Sequence, residues 1–376
     1  MTRINVMKPW LGADEVAAVT AVLESGWVAQ GPRVAEFESA FAAKQGARRA
    51  VALSSCTTAL QLALVVAGIG EGDEVVVPSF SFIATSNCVR YVGATPVFAD
   101  VELETGNLSA ATIEPVLTGR TRAIIGVDQG GVPLDLDPIR RLADERGIVV
   151  VEDAACGAGS TYKGRAVGAG AELAAWSFHP RKILTAGEGG MLTTSRDEWA
   201  DRAKRLREHA MSVSAADRHG SILPPPESYD EVGFNFRMTD LQAAVGLVQL
   251  GRLDEVVAVR RALAHRYSAA IQRIPGLRAV ADPAYGTCNF QSYWVEVTDD
   301  YPLDREGLLA ALARADISAR RGIMAAHRHP PYRDLAAEGS LPHTERLTDA
   351  TLILPLYHEL TEADQDRVIA VLAEGA

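Results

Sequence analysis

Residues 14–23 and 33–43 carry apolar positions at three- and four-residue steps, the spacing of amphipathic helices, with Val34, Phe37 and Phe41 on one stripe. Farther along, the pattern changes to short apolar runs without polar alternation, at 50–53, 74–77, 96–98, 123–127, 148–151, 174–178 and 191–193. Such runs, rich in Val, Ile or aromatic residues, suit strands covered on both faces, as in a largely parallel sheet. Helical patterns separate several of them, for instance at 57–67 and 138–146. The alternation predicts an α/β fold, a doubly wound sheet occupying roughly the first 250 residues.

A charged stretch at 212–230, with Pro224, Pro225 and Pro226 in succession, breaks the pattern and reads as a long surface loop. Residues 239–273 then read as almost continuously helical, with Thr239 or Asp240 as the N-cap. Beyond them lie a strand-like 290–297, a helical 304–314, a loop holding Arg320, Arg321, His327 and His329, and a last helix from Thr361. The expected division is a large α/β domain over residues 1–250 and a smaller α+β domain over 251–376. Neither repeats nor low-complexity tracts stand out.

Composition narrows the class. Of 376 residues, 48% are hydrophobic and 23% charged, a balance that excludes a disordered, collagen-like or cysteine-stapled chain. With 37 Lys plus Arg against 48 Asp plus Glu, the formal charge of −11 offers no basic field, so nucleic acid is not an expected partner. No run approaches the length of a membrane span, and the opening MTRINVMKPW lacks an apolar signal core, so a cytoplasmic protein is expected. Cys56, Cys88, Cys156 and Cys288 are far apart and show no C-x-x-C spacing, which disfavours structural zinc and disulfides.

Three segments carry candidate chemistry. In Ser177-Phe178-His179-Pro180-Arg181-Lys182, followed by Gly187, Gly189 and Gly190, a lysine leaves an apolar strand for a glycine-rich turn. That is the end of a strand where open α/β sheets bind ligands, a suitable place for a Schiff-base lysine. Taken alone, Lys182 would read as one surface lysine among many. Upstream, Val149-Val150-Val151-Glu152-Asp153 ends a buried strand on a carboxylate, which needs a cationic or hydrogen-bonding partner in apolar surroundings. A pyridinium nitrogen would be such a partner; a cap on the next turn is the plainer reading. In Ser54-Ser55-Cys56-Thr57-Thr58, small hydroxyl residues open a helix, and free N–H groups there suit a phosphate, although ordinary N-capping uses the same residues.

Together these segments match pyridoxal phosphate held at three points, and the chain resembles the DegT/DnrJ/StrS-type sugar aminotransferases of the aspartate aminotransferase fold, fold type I. The resemblance runs from Ser25-Gly26 and Gly31 to Leu354-Pro355-Leu356-Tyr357. It includes Gly72-Asp73-Glu74-Val75, Pro78-Ser79-Phe80-Ser81-Phe82, Gly93-Ala94-Thr95-Pro96 and Gly233-Phe234-Asn235-Phe236-Arg237-Met238-Thr239-Asp240. It implies a large domain with a mostly parallel seven-stranded sheet between helices, and pyridoxal 5'-phosphate as cofactor, alternating with pyridoxamine 5'-phosphate.

By the same resemblance, Lys182 carries the cofactor and then moves the proton between substrate carbon and cofactor carbon. Asp153 holds the pyridinium nitrogen, Phe82 stacks on the ring, and Cys56, Thr57 and Ser177 bind the phosphate. Asn235 reaches the phosphate of a neighbouring subunit, which implies a homodimer with a shared active site. His179 lies close to Lys182, for positioning or proton transfer. Arg320, Arg321, His327 and His329 are candidates for substrate binding. A metal at the H-x-H of 327–329 is not expected, because no third ligand is in sight.

Two positions depart from the family pattern. Cys156 stands where relatives carry Gln or His near the cofactor's phenolic oxygen, and on its own chemistry reads as a small buried residue. Asp128 stands where relatives commonly place His. The implied reaction moves an amino group from L-glutamate, with glutamine as the second choice of donor, to a nucleotide-linked keto-sugar, with C4 of a 4-keto-6-deoxyhexose favoured. Alternatives are a cyclitol aminotransferase, an aromatic-amine-forming synthase, or a non-catalytic sensor of the same fold. A dehydratase relative would carry His where Lys182 stands.

Overall fold

The computed structural model describes residues 3–213 and 226–375, so most of the loop expected at 212–230 lies outside the described residues. The chain opens with α1 (Ala13–Ser25) and α2 (Pro32–Gln45). Then β1 (Arg49–Leu53) leads into α3 (Cys56–Val66), β2 (Glu74–Pro78) into α4 (Ala84–Tyr91), and β3 (Thr95–Ala99) into the single turn α5 (Ala110–Ile113). Next come β4 (Thr121–Val127), α6 (Leu136–Asp144), β5 (Val149–Asp153) and the short β6 (Thr161–Tyr162) and β7 (Arg165–Ala166). The pair β8 (Leu173–Ser177) and β9 (Gly190–Thr194) precedes α7 (Asp197–Leu206).

Seven of these strands form one sheet in the order β1-β9-β8-β5-β4-β2-β3. β9 runs antiparallel to both neighbours, and the other pairings are parallel. Successive strand residues point to opposite faces, and here both faces are covered. Val51, Val75, Val77, Ile125 and Val151 pack with α3, α4 and α7 on one side, while Val76, Ile124, Val150 and Trp176 are buried on the other. Double burial is why these strands read as continuous apolar runs. The sheet is thus the mostly parallel seven-stranded one expected.

The remainder comprises α8 (Asp240–Gly251), α9 (Leu253–Ile271), β10 (Leu277–Ala279), β11 (Gly286–Thr287) and β12 (Tyr293–Val297). After these come α10 (Arg305–Arg314), β13 (Arg320–Arg321), α11 (Pro342–Ala350), β14 (Thr351–Leu354) and α12 (Glu362–Glu374). A four-stranded antiparallel sheet, β10-β12-β14-β13, organises this part. The continuous helix expected at 239–273 is instead two helices. They part at Arg252 (φ −99°, ψ −1°), whose guanidinium is tied to Asp14 and Glu15 of α1. The strand expected from 290 starts only at Tyr293, because Phe290 takes a left-handed φ of 52° in the turn before it. No helix among the described residues is long and apolar enough to cross a membrane.

Candidate active site

The amino terminus of α3 is built by Ser55, which caps it: the hydroxyl accepts from Thr58 N, and the Thr58 hydroxyl accepts from Ser55 N at 3.1 Å. This leaves the N–H groups of Cys56 and Thr57, at the first two helical positions, without intrahelical acceptors. Gly190 at the start of β9 lies directly against this turn. A Cβ there would sit 2.3 Å from the carbonyl carbon of Ser55 and 2.5 Å from Cys56 N, so only glycine permits the approach. Ser177, at the end of β8, pairs with Gly190 and lines the same cleft.

Asp153 ends β5 on the α3 face and is 4% exposed. Its Oδ2 accepts from the Thr85 hydroxyl at 2.9 Å and its Oδ1 from Ala155 N at 3.2 Å. Burial pushes its carboxyl above the ordinary range, against the opposing pull of these donors and of Lys182. Cys56 Sγ stands 4.0 Å from Oδ1, and burial, with Asp153 alongside, lifts that thiol well above its usual value, so it stays neutral. Its backbone N–H is what it offers an anion.

On the opposite face of β5, Glu152 lies near Asp128, which follows β4. Both are buried, and Asp128 Oδ2 and Glu152 Oε2 have no hydrogen-bond partner among the described residues. Asp128 Oδ1 accepts from Leu134 N at 2.9 Å, and Asp128 N donates to the Asp153 carbonyl at 3.2 Å. Burial, with Glu152 next, raises Asp128 well above the carboxylate range; burial carries Glu152 to about 7 against the pull of Arg140. Each of these desolvated carboxyls therefore keeps its proton to a higher pH than an exposed one would.

Lys182 sits in the loop joining β8 to β9. Phe178 N donates to the Gly189 carbonyl at 2.9 Å and Ala186 N to the Phe178 carbonyl at 2.9 Å, closing the loop at its base. Phe178, Ile183, Leu184 and Ala186 are buried beneath it. With its neighbours anchored, Lys182 reaches the cleft, and its Nζ donates to Cys156 Sγ at 3.1 Å. Burial alone would lower its pKa; Cys156, Cys56 and Asp153 outweigh that, and the free amine is held above the ordinary lysine value. Cys156 is therefore not the small buried residue expected: it is half-buried, lines the cleft and touches the lysine. His179 Nδ1 accepts from Arg181 N at 3.1 Å, which places the proton of the neutral ring on Nε2, 4.0 Å from Glu188. Burial, with Arg181, Lys182 and Arg320 nearby, lowers the His179 pKa.

These groups converge on one cleft of about 560 Å³ between the carboxyl ends of the large sheet and the edge of the small one. Cys56, Thr57, Phe82, Asp153, Cys156, Ser177, His179 and Lys182 all line it, and so do Arg320 and Arg321 of β13. Phe82, 63% exposed, presents a bare ring to it. Thr85 and Arg181 also line it and escaped the sequence reading. Thr85 is the second residue of α4, where no motif marks it, and Arg181 stands beside the more telling Lys182.

The structure divides the remaining candidates. His327, 2% exposed, accepts or donates through Nδ1 to the Ser79 hydroxyl at 2.7 Å and lies with Nε2 3.4 Å from Glu345, pinning its loop to the end of β2. His329 is exposed and outside the cleft lining, so neither histidine of the H-x-H pair is brought to the substrate position expected of it. Asn235 is exposed and also outside the lining.

The donor set fits pyridoxal phosphate. A buried carboxylate without an ion-pair partner among the described residues matches the pyridinium nitrogen, a bare aromatic ring matches the cofactor ring, and a helix amino terminus matches the phosphate. Comparison with known proteins agrees. Residues 9–373 match the model of the DegT/DnrJ/EryC1/StrS aminotransferase family. The chain is 39% identical, over 97% of its length and 95% of the other's, to the spore coat polysaccharide biosynthesis protein SpsC of Bacillus subtilis (strain 168). Among solved structures it resembles the aminotransferase TlmJ from Streptoalloteichus hindustanus, with 37% identity, TM-score 0.90, and coverage of 99% and 98% of the two chains. It also resembles S. venezuelae DesV, solved in complex with a ketimine intermediate, with 33% identity, TM-score 0.91, and coverage of 100% and 98%.

Proposed function

The chain belongs to the DegT/DnrJ/EryC1/StrS aminotransferase family, whose members are pyridoxal phosphate-dependent sugar aminotransferases, and from that premise we propose that it aminates a nucleotide-linked keto-sugar. The donor in this reading is L-glutamate, and the acceptor carbon is C4 of a 4-keto-6-deoxyhexose. The observation that carries it is the placing of Lys182 and the buried Asp153 in one cleft whose rim bears Arg181, Arg320 and Arg321.

When bound, pyridoxal phosphate supplies an electron-withdrawing ring that stabilises negative charge at the carbon bearing the nitrogen. Asp153 holds a proton at the pyridine nitrogen, and Thr85 keeps that carboxylate oriented through its 2.9 Å hydrogen bond. The N–H groups of Cys56 and Thr57, with the Ser177 hydroxyl, bind the phosphate. Lys182 would hold the cofactor and, once released, would serve through Nζ as the base for proton transfer at the substrate carbon. Phe82 covers one ring face and excludes water there.

Arg320 and Arg181 stand at the rim without ion-pair partners among the described residues, whereas Arg321 is held by Glu306 at 2.8 Å. The two unpaired guanidinia suit a diphosphate or the donor's carboxylate. We further assign the working form as a homodimer, in which Asn235 serves the phosphate site of a second copy; its exposure and its absence from the lining of its own chain's cleft support this.

The test is product analysis with L-glutamate and a panel of dTDP-, UDP- and GDP-linked keto-sugars. Amination of a 4-keto-6-deoxy sugar, with 2-oxoglutarate formed in equal amount, is expected. Turnover confined to cyclitol ketones or to aromatic amine formation would overturn the substrate assignment.

A further inference from the structure

We propose that Cys156 is a positioning residue for Lys182: its thiol receives the lysine amine and holds it beside Asp153 whenever that amine is not bonded to the cofactor. The inference rests on the reading of Lys182 as the amine that carries the cofactor.

The contact is set by two rigid backbones. Cys156 follows β5 in a turn where Gly157 N donates to the Ala154 carbonyl at 2.9 Å. The amide of Asn289, itself fully buried, donates to the carbonyls of Cys156 and Ala158, both at 2.7 Å. Lys182 is held in turn by its own N–H on the His179 carbonyl at 2.8 Å. Between these fixed points Nζ ends 3.1 Å from Sγ, and among the described residues it has no other hydrogen-bond or ion-pair partner. The other titratable groups facing it are Asp153 and Cys56, with His179 and Arg181 nearby on its own loop.

Side-chain length suits this contact. A Gln or His at this position extends several atoms beyond Cβ, whereas the thiol stops at Sγ and meets the lysine. Its character also matters. A carboxylate in the same place would bind the ammonium as an ion pair and hold it more firmly than the thiol does. A thiol is a weak acceptor and a weak donor, so it keeps the amine in place and still lets it go.

The experiment measures Lys182 in the cofactor-free protein, where turnover plays no part. Acetylation of Lys182 by acetic anhydride is followed against pH by peptide mass spectrometry, in wild type and in the Cys156→Ala, Cys156→Val and Cys156→Ser variants. Loss of the thiol in Ala and Val is expected to move the midpoint for Lys182 labelling to lower pH, and Ser to move it back toward the wild-type value. In the loaded enzyme, the half-reaction with L-glutamate should slow several-fold in Ala and recover in Ser. Wild-type midpoints in both Ala and Val would overturn the proposal. Where Lys182→Ala is inactive in the same preparation, that failure touches the positioning role alone; an active Lys182→Ala would instead remove its premise.

Discussion

Asp153 is a desolvated carboxylate whose neighbours are hydroxyl and amide donors, a thiol and one lysine, so it would attract a cation bound beside it strongly. Asp153→Ala is expected to weaken pyridoxal phosphate binding and to slow amino transfer about a hundredfold or more. Lys182→Ala should cost about a thousandfold or more while leaving the fold intact, as read by steady-state rates beside circular dichroism. The buried pair makes a separate, pH-linked prediction. Glu152 is raised to about 7 and Asp128 is raised too, so the folded state binds protons more tightly than the unfolded chain. Stability must then fall as pH rises from the ordinary carboxylate range toward 7, and Asp128→Asn should flatten that fall in thermal melts at graded pH. Asp153 and Lys182 were legible in the sequence because each ends or follows a buried strand within a distinctive run. The Cys156 contact was not: it joins residues 26 positions apart, through a loop whose path depends on Phe178, Ile183 and Leu184 finding their core.

At the scale of elements, the phosphate site depends on how closely β9 approaches the start of α3. Gly190→Ala would drive a methyl into the Ser55 carbonyl and Cys56 N. It is expected to reduce cofactor affinity about tenfold or more, equivalent to about 1.4 kcal/mol, measured by fluorescence titration of the cofactor-free protein. Ser55→Ala removes the cap and should cost about 1 kcal/mol of stability with a smaller loss of affinity. Strand positions were readable because both faces are buried, as Val75, Val76 and Val77 show in three successive residues. Helix limits were less so. The break at Arg252 follows Gly251, a poor helix former that also occurs inside helices, and Arg252 is tied to α1, more than 200 residues earlier in the chain.

For the whole molecule, the cleft joins two sheets: Asp153 and Ser177 come from the ends of the large one, and Arg320, Ile353 and Leu354 from the small one. In the proposed reading the cofactor residues come from the large sheet, and the rim combines Arg320 and Arg321 of the small sheet with Arg181 of the β8–β9 loop. Their juxtaposition could not be read from pattern alone; the resemblance to a known family supplied it, and it also offered His327 for substrate binding, whereas in the structure that side chain is buried and bonds Ser79. In the proposed homodimer, Asn235→Ala should weaken cofactor binding in both copies without disturbing either cleft's own lining. The central claim is that Lys182 and Asp153 serve one cofactor that accepts the amino group of L-glutamate. It is tested most directly by the absorption spectrum of the pyridoxal phosphate-loaded protein before and after L-glutamate is added. The account predicts a lysine-bound cofactor band in wild type that glutamate converts to the pyridoxamine phosphate spectrum, and no such band in Lys182→Ala. A wild-type band indifferent to glutamate, or the same band in Lys182→Ala, would contradict it.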